Sequence, residues 1–237
     1  MKKIKLLFAI TLLICTAVIS SCTLFGLKKQ TDFNRVTNVD TIDAHLYKTA
    51  WAYIKARSYA TSVARDTIFR RMYDAIIYSG IDTNEYIKPG RTYILINNNS
   101  VKALFASVFT SANKAGKKWQ DYSAADVKTY LQYLILQGQY SHFSLPTTPF
   151  FAKTLAPAGA YTTNPTGFNF RSPGVATYFP NPESTMAIWV LPSSPGNQSD
   201  YPLVINGSAN YVYTSDLMPT NGVIQVMNTI VTPVLPQ

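Results

Sequence analysis

Apolar residues recur at helical spacing through the first half of the chain and at strand spacing in about its last forty residues, so the order of elements limits the fold. From Asp40, the residues Ile42, Leu46, Ala50, Tyr53 and Ile54 share one helical face, with Asp40 or Thr41 as N-cap and His45 in the first turn. A second helix is predicted over 62–79, burying Ile68, Met72, Ala75 and Ile76, with Gly80 ending it in a left-handed conformation. Arg65, Arg70 and Arg71 fall on its solvated side. A buried strand over 92–96 follows the Pro89-Gly90 turn. Asn97 to Ser100 break it and cap a helix striped by Val101, Leu104, Phe105, Val108 and Phe109. Ser123 and Asp126 form a capping box for a helix that buries Val127, Tyr130, Leu131, Leu134 and Ile135 and is closed by Gly138. Strand patterns come later, over 185–191, 202–205, 211–213 and 223–227. Helices first and strands last predict an α+β fold rather than an alternating α/β one.

The N-terminus has a different logic. Lys2, Lys3 and Lys5 precede an apolar run over 6–19, and Ser20 and Ser21 follow, which is the order of a secretory signal. The run is shorter than the roughly 20 residues of a comfortable membrane span. Ile19-Ser20-Ser21-Cys22 resembles the bacterial lipobox, in which the cysteine becomes the new N-terminus and carries the lipid. The resemblance implies a signal peptide over 1–21, a lipidated tether over 22–40 and a domain over 41–237, with lipidation at Cys22. Several acyl chains at about 0.8 kcal/mol per buried methylene hold a protein on a membrane essentially permanently. Thr23 stands where an Asp commonly retains lipoproteins in the inner membrane, so the expected address is the outer membrane, facing either side.

This processing changes the composition. Of the two cysteines, Cys15 leaves with the signal and Cys22 carries lipid, which removes disulfides, thiolate chemistry and cysteine-ligated metals together. The net charge of +9 falls to +6 once Lys2, Lys3 and Lys5 are gone. That charge is concentrated before residue 154, because the remainder holds one Arg and three acids. A basic region of an exported protein favours anionic lipid or acidic glycan, and nucleic acid is not an expected partner.

Catalytic groupings are not legible. His45 and His142 are the two histidines, far apart in sequence, and no Gly-x-Ser-x-Gly is present. The pairs Asp121 with Asp126 and Asp82 with Glu85 have no spacing that defines a glycosidase site. The basic loop from Asn113 to Lys118 lacks the glycine pattern of a phosphate-binding loop. The expectation is a non-enzyme with no cofactor and no metal.

Near the C-terminus, Val204-Ile205-Asn206-Gly207, then Tyr211 through Asp216 and Leu217, then Asn221-Gly222-Val223-Ile224-Gln225-Val226-Met227-Asn228, resemble the closing motif of the fasciclin-like domain family. The chain departs from that motif at Gln225, where His is usual, and at Asn228, where Asp is usual. Upstream, Thr92 and Asn98 match positions of the family's first motif, and Tyr133 matches the tyrosine of its central Tyr-His pair. The resemblance implies a fasciclin-like fold, with helices packed on a β-sandwich or wedge and an enlarged loop insertion at about 145–200. It also implies contact with other proteins, matrix or polysaccharide. Physically, Thr92, Asn98, Tyr133, Asn206, Gly207, Asp216, Asn221, Gly222, Val223 and Ile224 read as turn and core positions.

The expected function is therefore a membrane-anchored, non-catalytic adhesion or interaction module of the bacterial cell envelope. The alternative is a glycan-binding accessory protein of an outer-membrane polysaccharide uptake system. In that alternative Tyr161, Phe168, Phe170, Tyr178 and Phe179 of the Pro-rich insertion are sugar-stacking platforms.

Overall fold

Thr49 accepts a hydrogen bond from the Ala52 amide at 3.2 Å and opens α1, Ala50–Ala56, which buries Ala50, Tyr53 and Ile54. The computed structural model describes residues 44–59, 67–107, 110–111, 114–115, 118–165, 170, 178–191, 202–207 and 209–233. The predicted signal peptide over 1–21, the predicted tether over 22–40 with Cys22, and Phe168 lie outside them. The described residues belong to one unit, Ala44–Gln237.

The first helix is shorter than its periodicity predicts. Residues 44–46 are extended: Leu46 donates to the Met218 carbonyl at 2.9 Å and Met218 to the Ala44 carbonyl at 2.8 Å. Tyr47 then takes a left-handed φ of 50°. An unpaired strand edge at Met218 competes with the helix for these backbone groups, and His45 bridges Met218 instead of occupying a helical turn.

The helix predicted over 62–79 is described as α2, Arg70–Ser79, and Gly80 ends it at φ 63° as expected. Thr67 to Phe69 form a turn before it, with the Phe69 amide bonded to the Arg57 carbonyl at 3.1 Å. Residues 60–66 lie outside the described residues. β1, Arg91–Ile96, leads into α3, Asn98–Ser107. Asn97 caps that helix, its side-chain oxygen accepting from the Asn99 and Ser100 amides at 3.0 Å each. Val101, Leu104 and Phe105 are buried as the stripe predicts, while Val108 and Phe109 lie outside the described residues. Two short strands, β2 (Thr110–Ser111) and β3 (Lys114–Ala115), pair antiparallel.

α4, Ala124–Tyr133, is capped by the Ser123 hydroxyl, which accepts from the Asp126 amide at 3.1 Å. It ends sooner than the sequence suggests. Ile135–Gln137 form β4, antiparallel to β1 with Thr92 opposite Leu136, so Gly138 terminates a strand rather than the helix. A short apolar run satisfies either period, and the open edge of β1 decides for the strand.

β5, Phe150–Lys153, lies in the stretch expected to be loop, and pairs antiparallel with β6, Thr185–Val190, which pairs with β7, Leu203–Ile205. Within that stretch, Phe150–Lys153 is thus part of a sheet. The strand expected over 211–213 starts later, as β8, Thr214–Leu217. Val212 still donates to Leu203 of the second sheet and Tyr213 already donates to Val226 of the first, so this segment is the crossing between sheets. β9, Gly222–Met227, completes a four-stranded sheet in the order β4-β1-β9-β8.

The β1–β9 pair is parallel, and both strands are buried along almost their whole length, as parallel strands covered on two faces should be. The two sheets meet where Leu155 donates to the Ile135 carbonyl at 2.9 Å and Leu136 bridges Thr154. One core fills the wedge between them, joining Tyr93, Ile94, Leu131, Tyr133, Met186, Ile188 and Ile205. This is an α+β architecture with helices against a two-sheet wedge. No described helix is long and apolar enough to cross a membrane.

Candidate functional site

The C-terminal motif residues tie strands and loops together. The Asn221 side chain accepts from the Ala50 amide at 2.9 Å and donates to the Tyr86 carbonyl at 3.1 Å and the Tyr93 hydroxyl at 2.7 Å. A Cβ on Gly222 would lie 2.1 Å from the Arg91 carbonyl oxygen, so only glycine lets β9 start beside β1. Val223 and Ile224 are core. Asp216, at φ 56°, accepts from the His142 amide at about 3 Å and from the Gln225 side chain at 2.8 Å. Gln225 also donates to the Tyr140 carbonyl, so it holds the loop after β4 against β8. Asn206 and Tyr133 bond each other, and the Gly207 carbonyl accepts from Asn210. Thr92 donates to the Gly138 carbonyl and accepts from the Tyr140 amide, both at 2.8 Å. Asn98 donates to the Thr67 carbonyl and accepts from the Arg71 amide at 3.0 Å, capping α2 from elsewhere in the chain. Burial pushes the Tyr133 phenol well above its usual range, so it does not titrate near neutrality.

Two of the insertion aromatics, Tyr161 and Phe170, are not a platform. Tyr161 is 2% exposed and Phe170 0%, packed edge to face at 5.8 Å, with Tyr161 against Tyr133 and Phe170 against Tyr130. A ring with no accessible face cannot stack on a sugar. Tyr178 and Phe179 are half-buried against the same core, the Tyr178 hydroxyl bonded to the Tyr161 carbonyl at 2.9 Å. These side chains fasten the Pro-rich segment to the domain. Phe168 lies outside the described residues.

A different group of rings does reach solvent. On α2, Arg71, Asp74 and Tyr78 are about one turn apart, and with Tyr73 and Ile77 they form one wall of a hollow of about 350 Å³. The opposite wall is Lys118, Trp119 and Gln120, the last two from the short helical turn Trp119–Asp121, and Phe105 of α3 meets Trp119 at 4.8 Å. Trp119 is fixed by its indole N–H, which donates to the Arg71 carbonyl at 2.7 Å, and Tyr78 by its hydroxyl on the Tyr122 carbonyl. The hollow continues past Tyr59 and Tyr73 into an apolar depression of about 370 Å³ lined by Ala52, Lys55 and Ala56 of α1. Tyr73 stacks on Trp51 at 5.6 Å and meets Tyr59 edge-on at 5.1 Å.

Basic groups alternate with these rings. Lys55 lies 5.9 Å above Trp51, and the Arg70 guanidinium 4.4 Å above Tyr59, which is 41% exposed. Hydrogen bonding with Tyr73, then desolvation, raises the Tyr59 phenol above its ordinary value, so it is a neutral hydroxyl at any physiological pH. The groove holds one acid, Asp74, and its carboxylate is taken by Arg70 at 3.0 Å. No described acid pairs with Arg71 or Lys118. The expectation that Arg70 and Arg71 form a bland solvated face is therefore corrected for Arg71, which is half-buried in the groove wall. Sequence reasoning missed this groove because its residues come from four separated segments. The available signal was the mixing of Trp51, Tyr59, Tyr73, Tyr78 and Trp119 with unpaired basic residues.

Among the described residues, no group of three or more His, Cys, Asp or Glu is placed to hold a metal ion. No protein-family model matches the chain, and no curated protein matches it. Among solved structures, the FAS1 domain pair from the insect cell adhesion molecule fasciclin I matches with a TM-score of 0.42 and 14% identity. The match covers 78% of this chain and 51% of that one, so the chain spans about half the length of the structure it matches.

Proposed function

We propose that this protein is a non-catalytic adhesion or interaction module of the bacterial cell envelope, held on the outer membrane by lipid on Cys22 and contacting envelope proteins or polysaccharide. The observation that carries the binding role is the open aromatic and basic groove between α1, α2 and the Trp119 turn. The anchor rests on the order Lys2, Lys3, Lys5, apolar run, Ile19-Ser20-Ser21-Cys22. The reading without catalysis is supported by the groove's content, which is rings and cations with one ion-paired carboxylate. The same groove favours, as second reading, an accessory role in polysaccharide uptake, in which the ligand is passed on rather than held.

Two measurements test the proposal. Metabolic labelling with a tagged fatty acid should mark the protein, and Cys22→Ala should abolish the label and release the chain from membranes. A photo-crosslinking residue at Ile77, which lines the groove and is 55% exposed, should capture an envelope component in living cells. Absence of any adduct, together with unchanged surface binding and aggregation on deleting the protein, would sink the binding role.

A further inference from the structure

The ligand chemistry of this groove follows from its charges. Arg71 and Lys118 line one end with no described salt bridge to either, the nearby Asp121 carboxylate accepting from the Lys118 backbone amide at 3.3 Å, and Lys55 lines the other end. The carboxylate that would neutralise them, Asp74, is already engaged by Arg70. Arg71 is half-buried beside rings and only partly solvated, so an anion brought to it gains more than in open water, while Lys118 and Lys55 are exposed. Between the cations lie Tyr59 and Tyr73, with the Trp119 turn beyond; Trp51 covers one face of Tyr73, Arg70 one face of Tyr59, and the edge-on contact of the two rings takes a third, which leaves one face open. Aromatic faces take up the C–H faces of sugar rings, and phenols serve them as donors and acceptors. The two hollows share Tyr59 and Tyr73, which suits an extended chain spanning both rather than a small molecule held in one.

We infer that the groove binds a segment of acidic polysaccharide, with one sugar face against the single open ring face of the Tyr59–Tyr73 pair and uronate carboxylates against Arg71 and Lys118. An acidic peptide satisfies the cations but leaves the open ring face without a flat apolar partner. A neutral glycan uses the rings but leaves both cations unpaired. The uneven charge of the chain agrees, because the groove draws its basic residues from the positively charged part of the sequence. The inference rests on the interaction-module reading and narrows its ligand.

The test is native affinity electrophoresis and calorimetry of the detergent-solubilised full chain against polygalacturonate, dextran and poly-glutamate. Polygalacturonate should bind and dextran should not. Affinity should fall as salt is raised, through screening of the exposed charges. Arg71→Ala with Lys118→Ala should weaken binding by about tenfold or more, the scale of losing charge-assisted hydrogen bonds. Tyr59→Ala should weaken polygalacturonate binding without restoring any preference for poly-glutamate, and Lys153→Ala, on β5, should change nothing. Thermal unfolding of each variant separates lost binding from lost folding.

Equal binding of dextran, or equal binding of poly-glutamate, overturns the acidic-glycan inference. So does a groove double variant that unfolds normally and binds as before. If no glycan binds but the residue at position 77 captures an envelope protein, the inference fails and the interaction module stands. If neither occurs, both fail.

Discussion

The Asn206 side-chain amide donates to the Tyr133 hydroxyl at 2.8 Å, joining the turn after β7 to the end of α4. Asn206 also donates to the Thr232 carbonyl and accepts from the Ala187 amide at 2.9 Å, while Tyr133 donates to the Thr185 carbonyl at 3.0 Å. One asparagine at φ 54° thereby links the second sheet, α4 and the C-terminal segment. Asparagine tolerates that left-handed backbone better than most side chains do.

Asn206→Ala should therefore destabilise by about 2–4 kcal/mol, from buried partners left unpaired and a less tolerated backbone. Tyr133→Phe removes one hydroxyl and should cost about 1–2 kcal/mol. Urea unfolding of the two single variants and the double should give less than the sum, because both delete the same bond.

Gly222→Ala should be among the most damaging small changes in the chain. The added carbon meets the Arg91 carbonyl at 2.1 Å, and that backbone is held in register on β1. A loss of about 2–4 kcal/mol is expected, since β9 must shift from β1 to make room. A denaturation midpoint equal to the wild type's would contradict it.

Asn98→Ala should loosen the start of α2 rather than that of its own helix. Phe69 at the N-cap position supplies no side-chain bond, and the Arg71 amide relies on Asn98. The loss should be about 1 kcal/mol. Hydrogen exchange should quicken at Arg71 while the amides of Asn99 and Ser100, bonded to Asn97, keep their protection.

Alkali should unfold the domain through its phenols. Burial pushes Tyr93 and Tyr178 each up to about 12, against an unfolded value near 10. The native state favours the protonated phenol, so this stability is complete below about pH 10 and is lost as pH rises toward 12. Phenolate absorbance of the native protein should lag that of the urea-unfolded chain, and denaturant midpoints should fall across that window. Tyrosines that all titrate near pH 10 in the native state would contradict the burial.

The C-terminal residues were readable because their demands are local. Asn221-Gly222 is a turn dipeptide before a buried strand, and Val223, Ile224 and Val226 need no distant information to be recognised as core. The end of α4 was not readable, because Leu134 to Leu136 fit a helix face equally well until β1 offers an edge. Residues 44–46 failed for the same reason: their apolar spacing continues a helix, but Met218 pairs with them as extended chain. β5 was hidden by the prolines on both sides, and its strand character comes from pairing with β6.

The candidate site was less legible than the fold. Of the rings singled out from the insertion, Tyr161 and Phe170 face inward, since they find Tyr133 and Tyr130 beneath them. The groove rings come from Tyr59, α2, α3 and the Trp119 turn, each unremarkable in its own segment. By itself, the sequence determined the order of elements, the basic bias, the local turns and the expectation of a lipid anchor, because each depends on neighbours along the chain. Which edges pair, which aromatic faces stay open and which cations lack an acid were decided only by the tertiary structure, because they depend on neighbours that folding brings from far away.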